Sequence, residues 1–457
     1  MPRLMLFVGL LFAGTLALAF DPPRQEKKIG GIRKAIPPKM SELDNGNIKL
    51  GVDLALGGAI TYLSPSNQDR NVVNSWDFGR QIQMSFYGGP VPFTHGDKRP
   101  AKHWEHLGWN PVQSGDDYGN PSKILEHAND GKTIHVKCIP MQWPLDNVPG
   151  ECVYECWIRL DGNAAFVRCR VTNQRSDKTQ HAARTQELPA VYTNGPYHRL
   201  MTYTGAKPFT GDAITQITRP RKHVGPWMSW TATERWAALV DDRNWGLGVW
   251  MPACTKFSGG FAGKPGQGGP KDNPTGYIAP NRQEILDHDI VFEFEYVLIL
   301  DQLDAIRQFV AKRSAQPAPP TFTFATDRQG WHHVNAGDAG WKLDGLWVVK
   351  LEKDDPQLIS PPGFWPAEAA KILLIEAAFQ TTQRTGQVFW STLEADFHEK
   401  ASVTFPVQGD GEFRTYAIDL SANPLYRGGV TQLRLDPIPR GAKGDWVKIR
   451  SIRLRNP

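Results

Sequence analysis

Cysteine is scarce in this chain: five residues in 457, at positions 138, 152, 156, 169 and 254, with no CxxC pair among them. That absence argues against a structural zinc cluster, whose ligands come in closely spaced pairs. Two readings stay open for the first four: buried free thiols, or local disulfides in an oxidising compartment. Cys152 and Cys156 share one face of an expected strand but lie too far apart along it to pair with each other. An excess of charge of one sign is also missing. The 52 Lys and Arg against 47 Asp and Glu leave a formal +5, too little at this length to argue for nucleic acid or an anionic membrane as partner. After the first twenty residues no apolar run is long enough to cross a bilayer.

The first twenty residues, MPRLMLFVGLLFAGTLALAF, place Arg3 before an apolar run that ends in Ala17-Leu18-Ala19. That order is the signature of a cleaved secretory signal, and the run is too short for a membrane anchor. The expectation is a signal peptide over 1–19, a secreted or periplasmic protein, and no membrane association after cleavage. Residues 20–43 are rich in Pro and Lys and read as a flexible segment.

What is abundant is Gly (43), Pro (36) and Trp (16). Gly and Pro punctuate short strand-like runs, which points to an all-β fold. Such runs include NIKLGVDLALGGAITYL, RQIQMSFY, ECVYECWIRLD, AAFVRCRVTN and IVFEFEYVLIL. One helix is expected at LDQLDAIRQFVAKR, where Leu303, Ile306, Phe309 and Val310 form an apolar face. A Pro- and Ala-rich stretch at 314–320 reads as a linker. It divides a main domain, 44–313, from a second β-sandwich, 321–457. In WVKIRSIRL a bulge near Ser451 returns Val447, Ile449, Ile452 and Leu454 to one side. Sixteen Trp exceed the needs of a core, and half-exposed indoles suit the C–H faces of sugar rings.

The run LGGAITYL, then RNVVNSWDFGRQIQMSFY and QELPAVY, resembles the galactose-mutarotase-like super-sandwich proteins. The resemblance implies a large antiparallel two-sheet β-sandwich and a carbohydrate substrate. Residues 321–457, with DLS, LRLDP and GDWVKIRSIRL, resemble the jelly-roll carbohydrate-binding-type modules appended to such enzymes. Neither likeness transfers catalytic residues, because a fold does not fix a function.

Candidate site residues therefore come from local pattern. On one strand, Gln81, Gln83, Ser85 and Tyr87 alternate with Ile82, Met84 and Phe86. The polar set offers donors and acceptors to sugar hydroxyls, with Arg80 at its start. The loop His95–Tyr118 gathers His103, Trp104, Trp109, Asp116 and Asp117, and loops on rigid sandwiches carry binding groups. Its histidines lack the HxH or HxxxH spacing of a metal site; no metal or cofactor is expected. Glu187 lies in the apolar stretch QELPAVY, with Tyr192 at its end. A buried carboxyl there is either a general acid of raised pKa or half of an ion pair with Arg184 or Arg80. Tyr197, His198, Arg199 and Lys207 supply a possible base and cation. Glu293 and Glu295 alternate with aromatics and read as an exposed strand face. The Gly-rich stretch from Phe257 to Tyr277 reads as a loop, a flap or inert, and not a phosphate loop.

These observations favour a secreted carbohydrate-active enzyme acting on a polysaccharide. The leading expectation is a glycoside hydrolase using Glu187 with Asp116 or Asp117. The alternatives are a polysaccharide lyase built on Tyr197, His198, Arg199 and Lys207, or a non-catalytic glycan-binding protein.

Overall fold

The structure, a computed structural model, describes residues 36–456. The expected signal peptide, and residues 20–35 of the expected flexible segment, lie outside them. Residues 40–43 of that segment are not loose: Met40–Asp44 forms a strand, β1, paired residue for residue with residues 49–53. Its Ser41 and Leu43 are buried, which gives this short strand an anchor that a Pro/Lys count does not reveal.

In chain order, the strands that matter below are β2 (Ile82–Ser85), β3 (Cys152–Asp161), β4 (Ala164–Asn173), β5 (Arg184–Asn194), β6 (Trp227–Thr231), β7 (Lys256–Ala262), β8 (Thr275–Glu284) and β9 (Val291–Gln302). A helix, α1 (Leu303–Arg313), follows, and β10 (Ile372–Gln380) and β11 (Trp446–Arg455) come from the C-terminal part. Among the described residues every ladder is antiparallel. β1, β2, β5, β8, β7 and β6 belong to a ten-stranded sheet, and β9, β4 and β3 to a nine-stranded one. Val and Ile at alternate strand positions send their side chains between these sheets. Val136, Ile158, Val167, Leu188, Val191, Ile278 and Leu298 are among the residues that meet there in one buried cluster.

Strand β9 shows the alternation in full: Phe292, Phe294 and Tyr296 are buried while Glu293 and Glu295 are exposed. Helix α1 buries Leu303, Ile306 and Val310 against the outer face of the nine-stranded sheet, on Trp236 and Val297 among others. The five cysteines are buried free thiols.

Two six-stranded sheets built from 321 onward enclose a second cluster that includes Trp347, Trp365, Phe379 and Trp390. In β11 the register against β10 slips between Ser451 and Ile449. The slip leaves Arg450 exposed and Val447, Ile449, Ile452 and Leu454 buried, as the apolar pattern required. Residues 314–320 carry neither helix nor strand.

The two clusters are joined by a buried ionic knot rather than by chain alone. Arg328 donates to Asp287 at 2.6 Å and, through Nε and Nη2, to both oxygens of Asp338 at 2.6 Å each. Gln180 donates to Asp287 at 2.9 Å and to Asp338 at 2.6 Å. Asp287 and Gln180 come from loops beside β8 and β5, Arg328 and Asp338 from the C-terminal part.

Candidate functional site

The site is set by a slip in strand β5. Glu187 lies opposite Ser85 of β2, and Ala190 lies opposite Gln83, so β5 spends three steps where β2 spends two. The same extra residue appears against β8, where Glu187 faces Asn281 and Val191 faces Ile278. Side chains alternate strictly along a strand, so Glu187 and Tyr192 should point to opposite faces. The bulge cancels that difference. Leu188 and Val191 enter the core, while Glu187, Ala190 and Tyr192 share the outer face of the ten-stranded sheet.

On that face the Glu187 carboxyl is held between two phenols. The hydroxyl of Tyr87 donates to Oε2 at 3.1 Å, and that of Tyr277 donates to Oε1. Glu187 is 4% exposed. Burial raises its pKa above the usual carboxylate range, and the two hydroxyl donors pull it partly back. Burial also pushes the phenols of Tyr87, Tyr192 and Tyr277 well above theirs, with the Glu187 charge adding to the effect.

The ion pair considered for Glu187 is not built. Arg184 donates to the carbonyls of Leu107, at 2.9 Å, and His106, at 3.0 Å. Arg80 donates to the carbonyl of Asn273 at 2.6 Å and its side chain at 3.0 Å, and lies 3.3 Å from Asp77.

Around the carboxyl the surface is aromatic, then polar. The rings of Tyr192 and Trp227 each lie 5.0 Å from that of Tyr277, beside the small residues Ala190 and Ala279. Beyond them Asn281 donates to Ser258, whose hydroxyl is 2.9 Å from that of Ser229.

Several expected site residues serve the scaffold instead. Gln81 and Gln83 share the outer face but are buried, not displayed. They donate to the carbonyls of Asp77, at 2.6 Å, and Phe78, at 3.0 Å, and so staple the 74–81 loop onto the sheet. Asp116 accepts from the backbone N–H groups of Tyr118, Asn120 and Asn147 and from the Asn120 side chain, all at 2.8–3.0 Å. Both its oxygens are spent on shaping a loop. Asp117 accepts from the Trp104 indole at 2.9 Å. Trp104 in turn packs edge-on to Trp143, and the exposed His103 lies against its ring. Trp109 is fully buried beneath the Arg175 guanidinium, so it presents no face to a sugar.

His198 and Arg199 follow the far end of β5. Asn194, which ends that strand, is seven residues from Glu187, roughly 20 Å of extended chain. His198 lies 3.1 Å from the Pro196 carbonyl and 3.5 Å from Asp242. Arg199 donates to Asn244 at 2.7 Å. Neither belongs to the Glu187 group. Among the described residues no set of three or more His, Cys, Asp or Glu is placed to hold a metal ion.

Of the expected residues, the fold brings together Glu187, Tyr87 and Tyr192, with Arg80 at the edge. Tyr277, Trp227, Asn281, Ser258 and Ser229 escaped the sequence reading. The expected loop 257–277 is two strands, β7 and β8, joined by residues 263–274. Its glycines concealed the alternation Tyr277, Ala279, Asn281, in which the three outward residues are separated by Ile278 and Pro280.

No family model matches the chain, and no curated protein matches it. Several solved structures are similar. A putative aldose 1-epimerase from Escherichia coli K12 is 11% identical, over 58% of this chain and 100% of its own, with a TM-score of 0.36. A galactose mutarotase related enzyme from Lactobacillus acidophilus is 10% identical, over 57% and 97%, with a TM-score of 0.35. A low affinity xylan binding module from Roseburia intestinalis is 13% identical, over 30% and 95%, with a TM-score of 0.23. Likenesses at this level carry no argument about activity.

Proposed function

We propose that this is an exported carbohydrate-active enzyme that cleaves a glycan by acid–base catalysis at Glu187, with 321–457 as an appended glycan-binding-type module. The observation that carries the reading is the Glu187 carboxyl, buried, raised in pKa and hydrogen-bonded by Tyr87 and Tyr277. A carboxyl raised toward neutrality can both give and take a proton at working pH. The phenols supply a second, much weaker acid, and Tyr192 and Trp227 supply apolar faces for a sugar ring. Hydrolysis by paired carboxyls asks for a second acid, and Asp116 has no oxygen left for it.

One observation favours a second reading, a non-catalytic glycan-binding protein. At 4% exposure the Glu187 carboxyl offers a substrate little direct access.

Incubation with a panel of neutral and uronate-containing polysaccharides separates the readings. New reducing ends without ultraviolet absorbance mark hydrolysis, and the two together mark elimination. Glu187→Gln should retain glycan binding and lose activity by about 10²–10⁴-fold, the usual contribution of a general acid or base. A fully active Glu187→Gln protein removes Glu187 from the chemistry, and a panel with binding but no cleavage leaves the binder.

A further inference from the structure

Lys256 is a half-buried cation on the sheet that carries Glu187. It opens β7, two residues before Ser258 and therefore on the same outer face. Its side chain makes no ion pair or hydrogen bond with any described residue. Among the described residues the carboxylate whose charge reaches it is that of Asp396, which is exposed and makes no ion pair with it. Burial lowers the pKa of Lys256, so its charge is only partly answered from within the protein.

A second cation of the same kind lies nearby. Arg235 stands in the turn after β6, with its backbone in the left-handed region at φ 63°. That turn is tied to the start of β7: the N–H of Ala232 donates to the Thr255 carbonyl at 2.7 Å, and that of Met251 donates to the Arg235 carbonyl at 3.2 Å. The Arg235 guanidinium is half-buried and, among the described residues, has no carboxylate partner or side-chain hydrogen bond. The buried Cys254 ties the two places together: its thiol donates to the Lys256 carbonyl at 3.0 Å, and the Arg235 charge acts on it. The place is also a junction, because Thr255 donates to the Gly363 carbonyl of the C-terminal part at 3.2 Å.

Elsewhere the fold answers its sunken cations, as with Arg328 between Asp287 and Asp338. Desolvated cations are normally paired. Two that are not, beside a row of hydroxyl and amide groups, leave room for an anion from outside. Two strand spacings separate β5 from β7, so the backbone at Lys256 runs roughly 10 Å from that at Glu187. Asn281, directly opposite Glu187, and its partner Ser258 lie on the path between them.

We infer that Lys256 and Arg235, with Asn281, Ser258 and Ser229, receive an anionic substituent of the glycan, a uronate carboxylate or a sulfate ester. The substrate class of the Glu187 site is then an acidic glycan. This rests on the proposed carbohydrate function and adds the charge of the sugar to it.

The test measures binding by calorimetry to three probes: oligogalacturonate, a sulfated galactan oligosaccharide that carries sulfate but no carboxylate, and a neutral xylo-oligosaccharide. The full chain is compared with Lys256→Gln, Lys256→Arg and Arg235→Gln. The wild-type chain should prefer at least one acidic probe, and which one decides between carboxylate and sulfate. Lys256→Gln should weaken that probe about tenfold or more, the scale of a lost charge-assisted hydrogen bond, and leave any neutral binding within about twofold. Lys256→Arg should keep most of the preference. Lys256→Gln should also melt no lower than the wild type, since it removes an unanswered charge. Equal binding of acidic and neutral probes, or unchanged acidic binding in Lys256→Gln, overturns the anion site and leaves the role of Glu187 standing. A chain that binds no glycan of any kind overturns both.

Discussion

The molecule buries charge in two places by opposite means. Around Arg328 the charge is answered by charge: two aspartates hold the guanidinium through three hydrogen bonds of 2.6 Å. Around Glu187 a carboxyl is answered by neutral phenols, and among the described residues no arginine pairs with it. The knot pulls the Asp338 pKa below the usual carboxylate range despite its burial, so both partners stay ionised. The phenol cage leaves Glu187 raised. The first arrangement favours the charged form of its carboxylates and the second disfavours it, which is the difference between a fastening and a chemical group.

The harshest way to break this comparison is Arg328→Met. It strands Asp287 and Asp338, and removing one partner of a buried pair typically costs about 3–5 kcal/mol. Denaturant unfolding of the full chain should show a loss of that size. A variant as stable as the wild type means that the knot is solvated.

His332, a neighbour of the knot, gives the next effect. Burial lowers its pKa from 6.5 to about 4, so it folds neutral and must be deprotonated to remain buried. The stability this group contributes is complete above about 6.5 and is lost as pH falls toward about 4, in total roughly 3 kcal/mol. His332→Phe should flatten that limb of a plot of melting temperature against pH. An unchanged limb assigns the acid sensitivity to other groups.

The smallest effect sharpens the other half of the comparison. The folded pKa of Glu187 is raised, so its favourable contribution is present below its unfolded value and is lost as pH rises through the folded one. Glu187→Gln lacks that loss. The variant should therefore gain in melting temperature relative to wild type on going from acid to neutral pH. A variant that instead falls behind as pH rises shows that the ionised carboxyl is stabilised, and the cage is then a charge site like the knot.

Much of the scaffold could be read before the structure. The period of two in β9, the apolar face of α1 and the slip near Ser451 each follow from where apolar residues must go. The candidate site could be read only in part. Glu187 drew attention because a carboxylate among Leu, Pro, Ala and Val needs an answer. The answer itself, Tyr277, comes from 90 residues away in sequence, and no local pattern announces it. Gln81 and Gln83 misled for a related reason. Their parity was right, but period two says which face a side chain takes and nothing about a loop folded over that face. Asp116 shows the same limit: a loop aspartate that organises backbone N–H groups has the same local look as one that awaits a substrate.

The bulge in β5 can be thought of as a phase error in a two-letter code, in which positions alternate between core and surface. One surplus residue between Glu187 and Ala190 shifts the phase on one side of it only. The five steps from Glu187 to Tyr192 would set them on opposite faces of a regular strand; the bulge absorbs the surplus residue and leaves the acid in the register of Tyr192 rather than that of Val191. Straightening the bulge without losing a residue would turn the carboxyl toward the core, away from Tyr87 and Tyr277, whereas deleting the surplus residue leaves an even four steps to Tyr192 and keeps the acid on the outer face. Chemistry at this place depends on a count of residues as much as on their kind.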